Sequence, residues 1–302
     1  MSVPMDSAAD LRSIRDFVRF GASQFRAAGL EFGHGTDNAF DEAAWLVLHS
    51  LALPLDLPES WWDSRLTRSE RLRVEAVLRE RVTSRRPAAY ITREAWFMGM
   101  PFYVDERVLV PRSPIAELIA AGFSPWLEPD RVRRVLDLCT GSGCIGLATA
   151  AVLPGAEVWL SDLSRDALAV ARENVRRHGL EARTHLVQSD VFSGLDESAR
   201  FDLVVSNPPY VDAAEMAALA AEYRQEPALG LAAGADGLDI VRRILAGARS
   251  RLNPGGVLIV EVGNSQPALE AAFPDLPFTW LEFESGGEGV FLLTHDQLPA
   301  GR

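Results

Sequence analysis

At 302 residues the chain is long enough for about two domains of ~150 residues each, and 48% hydrophobic against 24% charged residues excludes a disordered chain. Forty-two acidic against 30 basic residues give a net charge of −12, which repels phosphate backbones and argues against unaided binding of long nucleic acid while leaving a basic protein partner open. Every basic residue is an arginine, which excludes a Walker-type lysine, a Schiff-base lysine and a pyridoxal anchor, and two cysteines are too few for a disulfide scaffold or a Cys-rich zinc site.

The start, with Asp6, Asp10 and Arg12, has no apolar signal core. The most apolar early stretch, from Trp45 to Leu55, is broken by His49 and Pro54 and is far short of the ~20 residues of a bilayer span. A cytoplasmic protein is expected. Leu11, Ile14, Phe17, Val18 and Phe25 recur at helical spacing after a candidate cap at Ser7. A second helix follows Thr36 or Asp37, with Phe40, Ala44, Val47, Leu48 and Leu51 on one side. A third opens on the capping-box signature Thr67-x-x-Glu70, continues through Leu72, Val77, Leu78 and Val82, and stops at Arg85-Arg86-Pro87.

Residues 95–111 are aromatic and β-branched around Gly99, which predicts a hairpin linking two domains. From Pro114 a helix through Ile115, Leu118 and Ile119 leads into a repeating strand–helix pattern. Strands are expected at 135–138, 157–160, 184–187, 202–206 and 257–262, with helices at 165–178 and 238–252 among them. Asn253-Pro254-Gly255-Gly256 is expected to end the second of these helices, and 278–283 with 289–294 to form a final hairpin. This alternation implies an α/β fold with a parallel sheet and helices on both faces.

After the first strand of that pattern comes Asp137-Leu138-Cys139-Thr140-Gly141-Ser142-Gly143-Cys144-Ile145-Gly146. Gly141-x-Gly143-x-x-Gly146 matches a dinucleotide-binding fingerprint, and a ligand-free strand-to-helix turn is the plainer alternative. Asp137 ends its strand where an anion can face a cationic ligand, and Asp162 ends the next strand where it can take two ribose hydroxyls. NAD satisfies the second condition only. S-adenosylmethionine, with a ribose, an ammonium and a sulfonium, satisfies both. Asp190, at the third strand's end, is placed to accept from an adenine amine or to cap a helix.

The fourth strand runs into Asn207-Pro208-Pro209-Tyr210. Two prolines fix two φ angles and remove two N–H donors, so the turn is stiff and presents carbonyls outward at the ligand edge of a parallel sheet. A planar NH2 is a poor nucleophile; the Asn207 oxygen and the Pro208 carbonyl suit its two hydrogens, with Tyr210 stacking on the planar group. A surface turn is the alternative. The five histidines show no close ligand spacing, so no metal is expected, and Cys139 and Cys144 are expected to pack beside the glycine turn.

Asp137-x-Cys139-x-Gly141-x-Gly143 followed by Asn207-Pro208-Pro209-Tyr210 resembles the class I methyltransferases that alkylate planar nitrogen, and more closely the HemK-like protein-(glutamine-N(5)) methyltransferases. Ala88-Ala89-Tyr90-Ile91, and Phe102-Tyr103-Val104 through Val108-Leu109-Val110-Pro111-Arg112, are similar to that family's linker. The resemblance implies a doubly wound seven-stranded sheet with a terminal antiparallel hairpin, preceded by a small all-helical domain. Its boundaries would be a substrate-recognition domain at 1–90, a β-hairpin linker at 91–113 and an S-adenosylmethionine-dependent catalytic domain at 114–302.

The same resemblance implies that Asn207, Pro208, Pro209 and Tyr210 carry the chemistry. Cofactor contacts would come from Asp137, Cys139, Thr140, Gly141, Ser142, Gly143, Cys144, Asp162, Asp190, Val191 and Asn207. Enzymes that act on release factors usually follow Pro-Arg with Pro-x-Thr-Glu. Here Pro111-Arg112-Ser113-Pro114-Ile115-Ala116-Glu117, with Ala95-Trp96-Phe97 and Tyr103-Val104-Asp105-Glu106-Arg107, resembles the branch (PrmB type) that methylates a glutamine of large-subunit ribosomal protein L-three. The implied partner is a basic ribosomal protein, with no membrane and no direct nucleic-acid binding. Release factors and nucleic-acid amino groups remain as alternative substrates. Many family members carry glycine where this chain has Cys139, and Glu226-Pro227 and Glu261-x-Gly263 resemble family landmarks without assignable chemistry.

Overall fold

The computed structural model of the chain describes residues 10–300. They fall into two compact units: the chain up to Glu94 with Ala220–Gln225 in one, and Ala95–Leu219 with the chain from Glu226 onward in the other. The boundaries expected at 90 and 113 are contiguous, and the sequence carries no local signal for the return of Ala220–Gln225.

The first unit is built on α1 (Ile14–Ala27), α2 (Ala39–Ser50), α3 (Arg68–Ser84) and α4 (Ala88–Thr92). Ser13 caps α1, its hydroxyl accepting from the Asp16 N–H at 3.2 Å while the Asp16 carboxylate accepts from the Ser13 N–H at 2.9 Å. The expected cap at Ser7 lies outside the described residues. Asn38 caps α2 in place of Thr36 or Asp37, because its side-chain oxygen reaches the N–H groups of Phe40 and Asp41 at 3.0 Å each. The Thr67–Glu70 box forms as expected, and α3 stops at Arg85, whose φ of 62° is left-handed.

Two expected core residues face solvent: Phe40 is 56% exposed and Leu72 59%. The expected Val47, Leu48 and Leu78 are buried, and the stripes are completed by Ala43 and Leu46 on α2 and by Val74 and Arg81 on α3. A count of apolar residues alone misses this, because Arg81 is fully buried against carboxylates. Its Nε donates to Glu42 at 2.7 Å, its Nη1 lies 3.5 Å from Glu222, and its Nη2 donates to the Glu31 carbonyl at 3.1 Å. Glu222, also fully buried, takes Arg85 Nε at 3.1 Å and the Glu31 N–H at 3.3 Å.

The second unit opens with the hairpin β1 (Ala95–Phe97) and β2 (Met100–Phe102), turning through Met98 and Gly99 at φ of 51° and 72°. Then follow α5 (Ile115–Ala120), β3 (Arg134–Leu138), α6 (Cys144–Val152), β4 (Glu157–Asp162), α7 (Arg165–Arg177), β5 (Thr184–Gln188) and β6 (Phe201–Ser206). The chain continues through α8 (Ala213–Ala218), α9 (Asp239–Ala248), β7 (Leu252–Glu261), α10 (Gln266–Ala272), β8 (Thr279–Trp280) and β9 (Val290–Thr294). The seven-stranded sheet has the order β5-β4-β3-β6-β7-β9-β8, parallel through β7, with β9 antiparallel to both β7 and β8. This is the class I methyltransferase architecture, with the terminal hairpin at one edge.

Asn253-Pro254-Gly255-Gly256 does not end a helix: α9 stops at Ala248, and the four residues lie within β7. They form an irregularity in the ladder, where β6 advances from Phe201 to Leu203 while β7 advances from Leu252 to Val257. Alternate side chains serve two faces. Leu136, Leu138, Val204, Leu258 and Val260 bury against Val241, Ile244 and Leu245 of α9 and Leu269 of α10. Asp137 and Leu160, on the opposite face, meet α6 at Gly146.

Candidate active site

The carboxyl ends of β5, β4, β3 and β6 lie side by side, with Leu138 level with Ser161 and Ser206, and Asp162 level with Gln188. Strand order reverses there, because β3 has β4 on one side and β6 on the other, which opens a crevice at the loop edge. Along this edge stand the glycine loop, Asp162, Asp190 with Val191, and Asn207.

The loop after β3 turns through Cys139, Gly141 and Gly143 at φ of 58°, 55° and 85°. Cys139 thus holds a left-handed conformation without being glycine, which is local strain at the ligand edge. Gly146 lets α6 approach the sheet: a Cβ there would sit 2.2 Å from Leu160 Cδ2 and 2.9 Å from Asp137 Oδ2. Asp137 ties both ends of the loop through one oxygen, with the Thr140 hydroxyl donating to Oδ2 at 2.5 Å and the Gly146 N–H at 2.9 Å. Its other oxygen, Oδ1, is buried and has no hydrogen-bond partner among the described residues. Burial pushes the Asp137 carboxyl up to about 7.

A buried anion with one oxygen free to accept fits a cationic ligand group such as an ammonium. Thr140 and Ser142 are buried in the loop floor, and burial pushes both the Cys139 and Cys144 thiols up to about 12, which removes them as nucleophiles.

Asp162 accepts the Gly141 N–H on Oδ2 at 2.9 Å and the Ser164 N–H on Oδ1 at 2.8 Å, and burial raises its carboxyl above the usual range. Each oxygen keeps a second lone pair, which suits a pair of ribose hydroxyls. Asp190 reaches the same edge in an ion pair with Arg243 Nη1 of α9 at 2.8 Å, and that guanidinium holds its carboxyl below the usual range. Val191 beside it has a φ of 53°, an unusual conformation for a β-branched residue, with its carbonyl taking the Ser189 hydroxyl at 2.7 Å.

The Asn207-Pro208-Pro209-Tyr210 turn leaves β6 with Pro208 buried and the other three residues half-buried. Asn207 Nδ2 donates to the Arg112 carbonyl at 3.4 Å, and Arg112 is itself gripped by Glu226, with Nη1 and Nη2 donating at 2.7 and 2.6 Å. Glu226 also accepts the Val110 N–H at 2.9 Å, so a buried carboxylate fixes the backbone that Asn207 touches. The Tyr210 hydroxyl donates to Glu261 Oε1 at 3.1 Å, and the Ser113 hydroxyl donates to Oε2 at 2.6 Å. Gly263, at φ 46°, leaves room for the Tyr210 ring, since a Cβ there would lie 2.7 Å from Cε2. The landmarks Glu226-Pro227 and Glu261-x-Gly263 therefore both serve the tetrapeptide.

Sequence reasoning missed Arg243 and Asn174. The Asn174 side chain, fully buried on α7, donates to the Ser142 carbonyl at 2.8 Å and exchanges hydrogen bonds with the Tyr103 backbone. The available signal was a polar residue on the apolar stripe of Val170, Ala171 and Val175. Among the described residues no group of side chains could hold a metal ion, and no helix is long and apolar enough to cross a membrane.

The family model described as "Methyltransferase small domain" matches residues 123–225. A protein of Neisseria gonorrhoeae named "Ribosomal protein uL3 glutamine methyltransferase" is 53% identical over 97% of each chain. A Bordetella pertussis protein of the same name is 50% identical over 96% of this chain and 97% of its own. Among solved structures, the hMettl16 catalytic domain in complex with a MAT2A 3′UTR hairpin superposes with a TM-score of 0.51 at 18% identity, covering 76% of this chain and 81% of that one, a likeness of fold. With relatives this similar over nearly their whole length, the chain belongs to the family of ribosomal protein uL3 glutamine methyltransferases.

Proposed function

We infer that this protein transfers a methyl group from S-adenosyl-L-methionine to the side-chain amide nitrogen of a glutamine in ribosomal protein uL3. The observation that carries the reading is the placement of Asn207-Pro208-Pro209-Tyr210 beside the glycine loop on one sheet edge, in a chain whose near full-length relatives are named for that reaction. S-adenosylmethionine, when bound, supplies a methyl group activated on a sulfonium.

The residues of the chain do the rest by positioning. Asp137 Oδ1 accepts from a cationic group, the free lone pairs of Asp162 accept from ribose hydroxyls, and the loop from Cys139 through Cys144 brings backbone close to the ligand. Asp190 and Val191 bound the adenine end, where the Asp190–Arg243 pair leaves the carboxylate's second oxygen to accept an amine. Asn207 Oδ1 and the Pro208 carbonyl take the two hydrogens of the target amide, which aims its nitrogen lone pair and favours pyramidal geometry as charge develops. Pro209 stiffens the turn, and the Tyr210 ring covers the amide and excludes water.

The helical unit serves substrate recognition in this reading, and the cytoplasm, where ribosomal proteins are made, is the compartment. Asn207→Ala is expected to lower methylation of uL3, measured with labelled cofactor, by roughly 100-fold or more while cofactor binding largely survives. Wild-type turnover in that variant refutes the assignment.

A further inference from the structure

An asparagine amide has an accepting end and a donating end of nearly the same shape, so its neighbours decide which end faces a ligand. The function inferred above needs the accepting end, Oδ1, toward the glutamine amide. Two groups beside Asn207 bear on this. The Arg112 carbonyl, 3.4 Å from Nδ2, can only accept. The Glu261 carboxyl, which the Asn207 side chain helps to hold in its charged form, can only accept while ionised. Two acceptors on one side turn the NH2 toward themselves and leave Oδ1 for the crevice.

Glu261 is well placed to impose this. It is 5% exposed, and its two oxygens are already committed to the Tyr210 hydroxyl at 3.1 Å and the Ser113 hydroxyl at 2.6 Å. One carboxylate therefore bears on three groups: it accepts from the hydroxyls of Tyr210 and of Ser113, the serine that follows Arg112, and the side chain of Asn207 helps to hold it ionised. We propose that Glu261 is a positioning residue which, as a carboxylate, selects the orientation of the Asn207 amide and fixes the Tyr210 ring for methyl transfer. The proposal rests on the function inferred above and assigns Glu261 a role in that same site.

The charges around Glu261 make the selection depend on pH. Burial pushes its carboxyl up to about 7, against the lowering effect of the Ser113 and Tyr210 hydroxyls, the Arg112 guanidinium and the Asn207 amide, while Glu226 stands behind Arg112. Once protonated, Glu261 carries a donor of its own and can satisfy Asn207 Oδ1, so the amide loses its preferred orientation. Substrate binding and turnover should both rise with pH through about 7 and then level off.

The test uses the full-length protein and recombinant uL3. For the wild type, kcat/KM for uL3 at saturating S-adenosylmethionine, and the affinity for uL3 in the presence of saturating S-adenosylhomocysteine, are expected to climb through one ionisation near neutral pH. Glu261→Gln is expected to lower kcat roughly 10- to 100-fold, to flatten both pH profiles, and to leave S-adenosylhomocysteine affinity unchanged. Glu261→Asp, which restores the charge, should recover the ionisation. Ser113→Ala, which removes one donor from the carboxylate, should move the ionisation to higher pH, and it serves as the deciding variant if Glu261→Gln does not fold. A Glu261→Gln enzyme with wild-type kcat and an unaltered profile, or a Ser113→Ala profile that stays in place, overturns the proposal. Asn207→Ala measured alongside separates the two claims: full activity there defeats the function assigned to the tetrapeptide, whereas loss there with normal Glu261→Gln kinetics defeats only the role of Glu261.

Discussion

Asp137 shows how one side chain ties the two ends of the glycine loop together and, in the proposed function, meets the ligand. Its carboxyl is pushed up to about 7 in the folded chain, above the ordinary 3.8. The protonated form therefore favours folding; that contribution is full below pH 3.8 and is lost as the pH rises through about 7. A cationic ligand requires the ionised form, so binding should displace a proton below and around neutrality, and affinity should rise with pH until about 7. Calorimetry of S-adenosylhomocysteine binding in buffers of different ionisation enthalpy is expected to detect this proton, and Asp137→Asn to abolish it. Asp137, Asp162 and Asn207 were legible in the sequence because each stands at the end of a recognisable strand. The tasks of Glu261 and Glu226 were not, because Ser113 is 148 residues from the one and Arg112 is 114 residues from the other. Asp190 was legible as a strand-end acid, but nothing local signalled Arg243 as its partner.

Local patterns settle which elements form more readily than which side they bury. The Thr67-x-x-Glu70 box was read correctly because all its bonds lie within four residues. The buried side of α3 includes the expected Leu78 but not Leu72, because Arg81 sits where an apolar residue is normally counted, and Glu42, Glu222 and the Glu31 carbonyl make that burial tolerable. Removing one carboxylate from this cluster leaves a buried guanidinium short of a partner. Glu222→Ala is accordingly expected to destabilise the protein by about 3 kcal/mol, read as a lower midpoint in urea unfolding. The stretch Asn253-Pro254-Gly255-Gly256 misled in the opposite sense. Its residues favour a turn in any local reading, yet the sheet absorbs them as an irregularity because β6 and β7 continue to pair beyond it.

For the molecule as a whole, the net charge of −12 suits a basic substrate. The Kd for uL3 is expected to weaken as salt is raised from about 50 mM to about 500 mM, and an unchanged Kd would exclude an electrostatic contribution. The strand–helix alternation made the doubly wound sheet legible, because each parallel strand needs a crossover of its own. The return of Ala220–Gln225 to the helical unit left no such trace, since its contacts, Glu222 with Arg81 and Arg85 and the Tyr223 ring with His34, join residues far apart along the chain. That return has a practical corollary for protein engineering. No one cut frees the helical body: a fragment ending at Glu94 would carry Arg81 and Arg85 without Glu222, so transplanting it onto another scaffold means moving two separate stretches of polypeptide together.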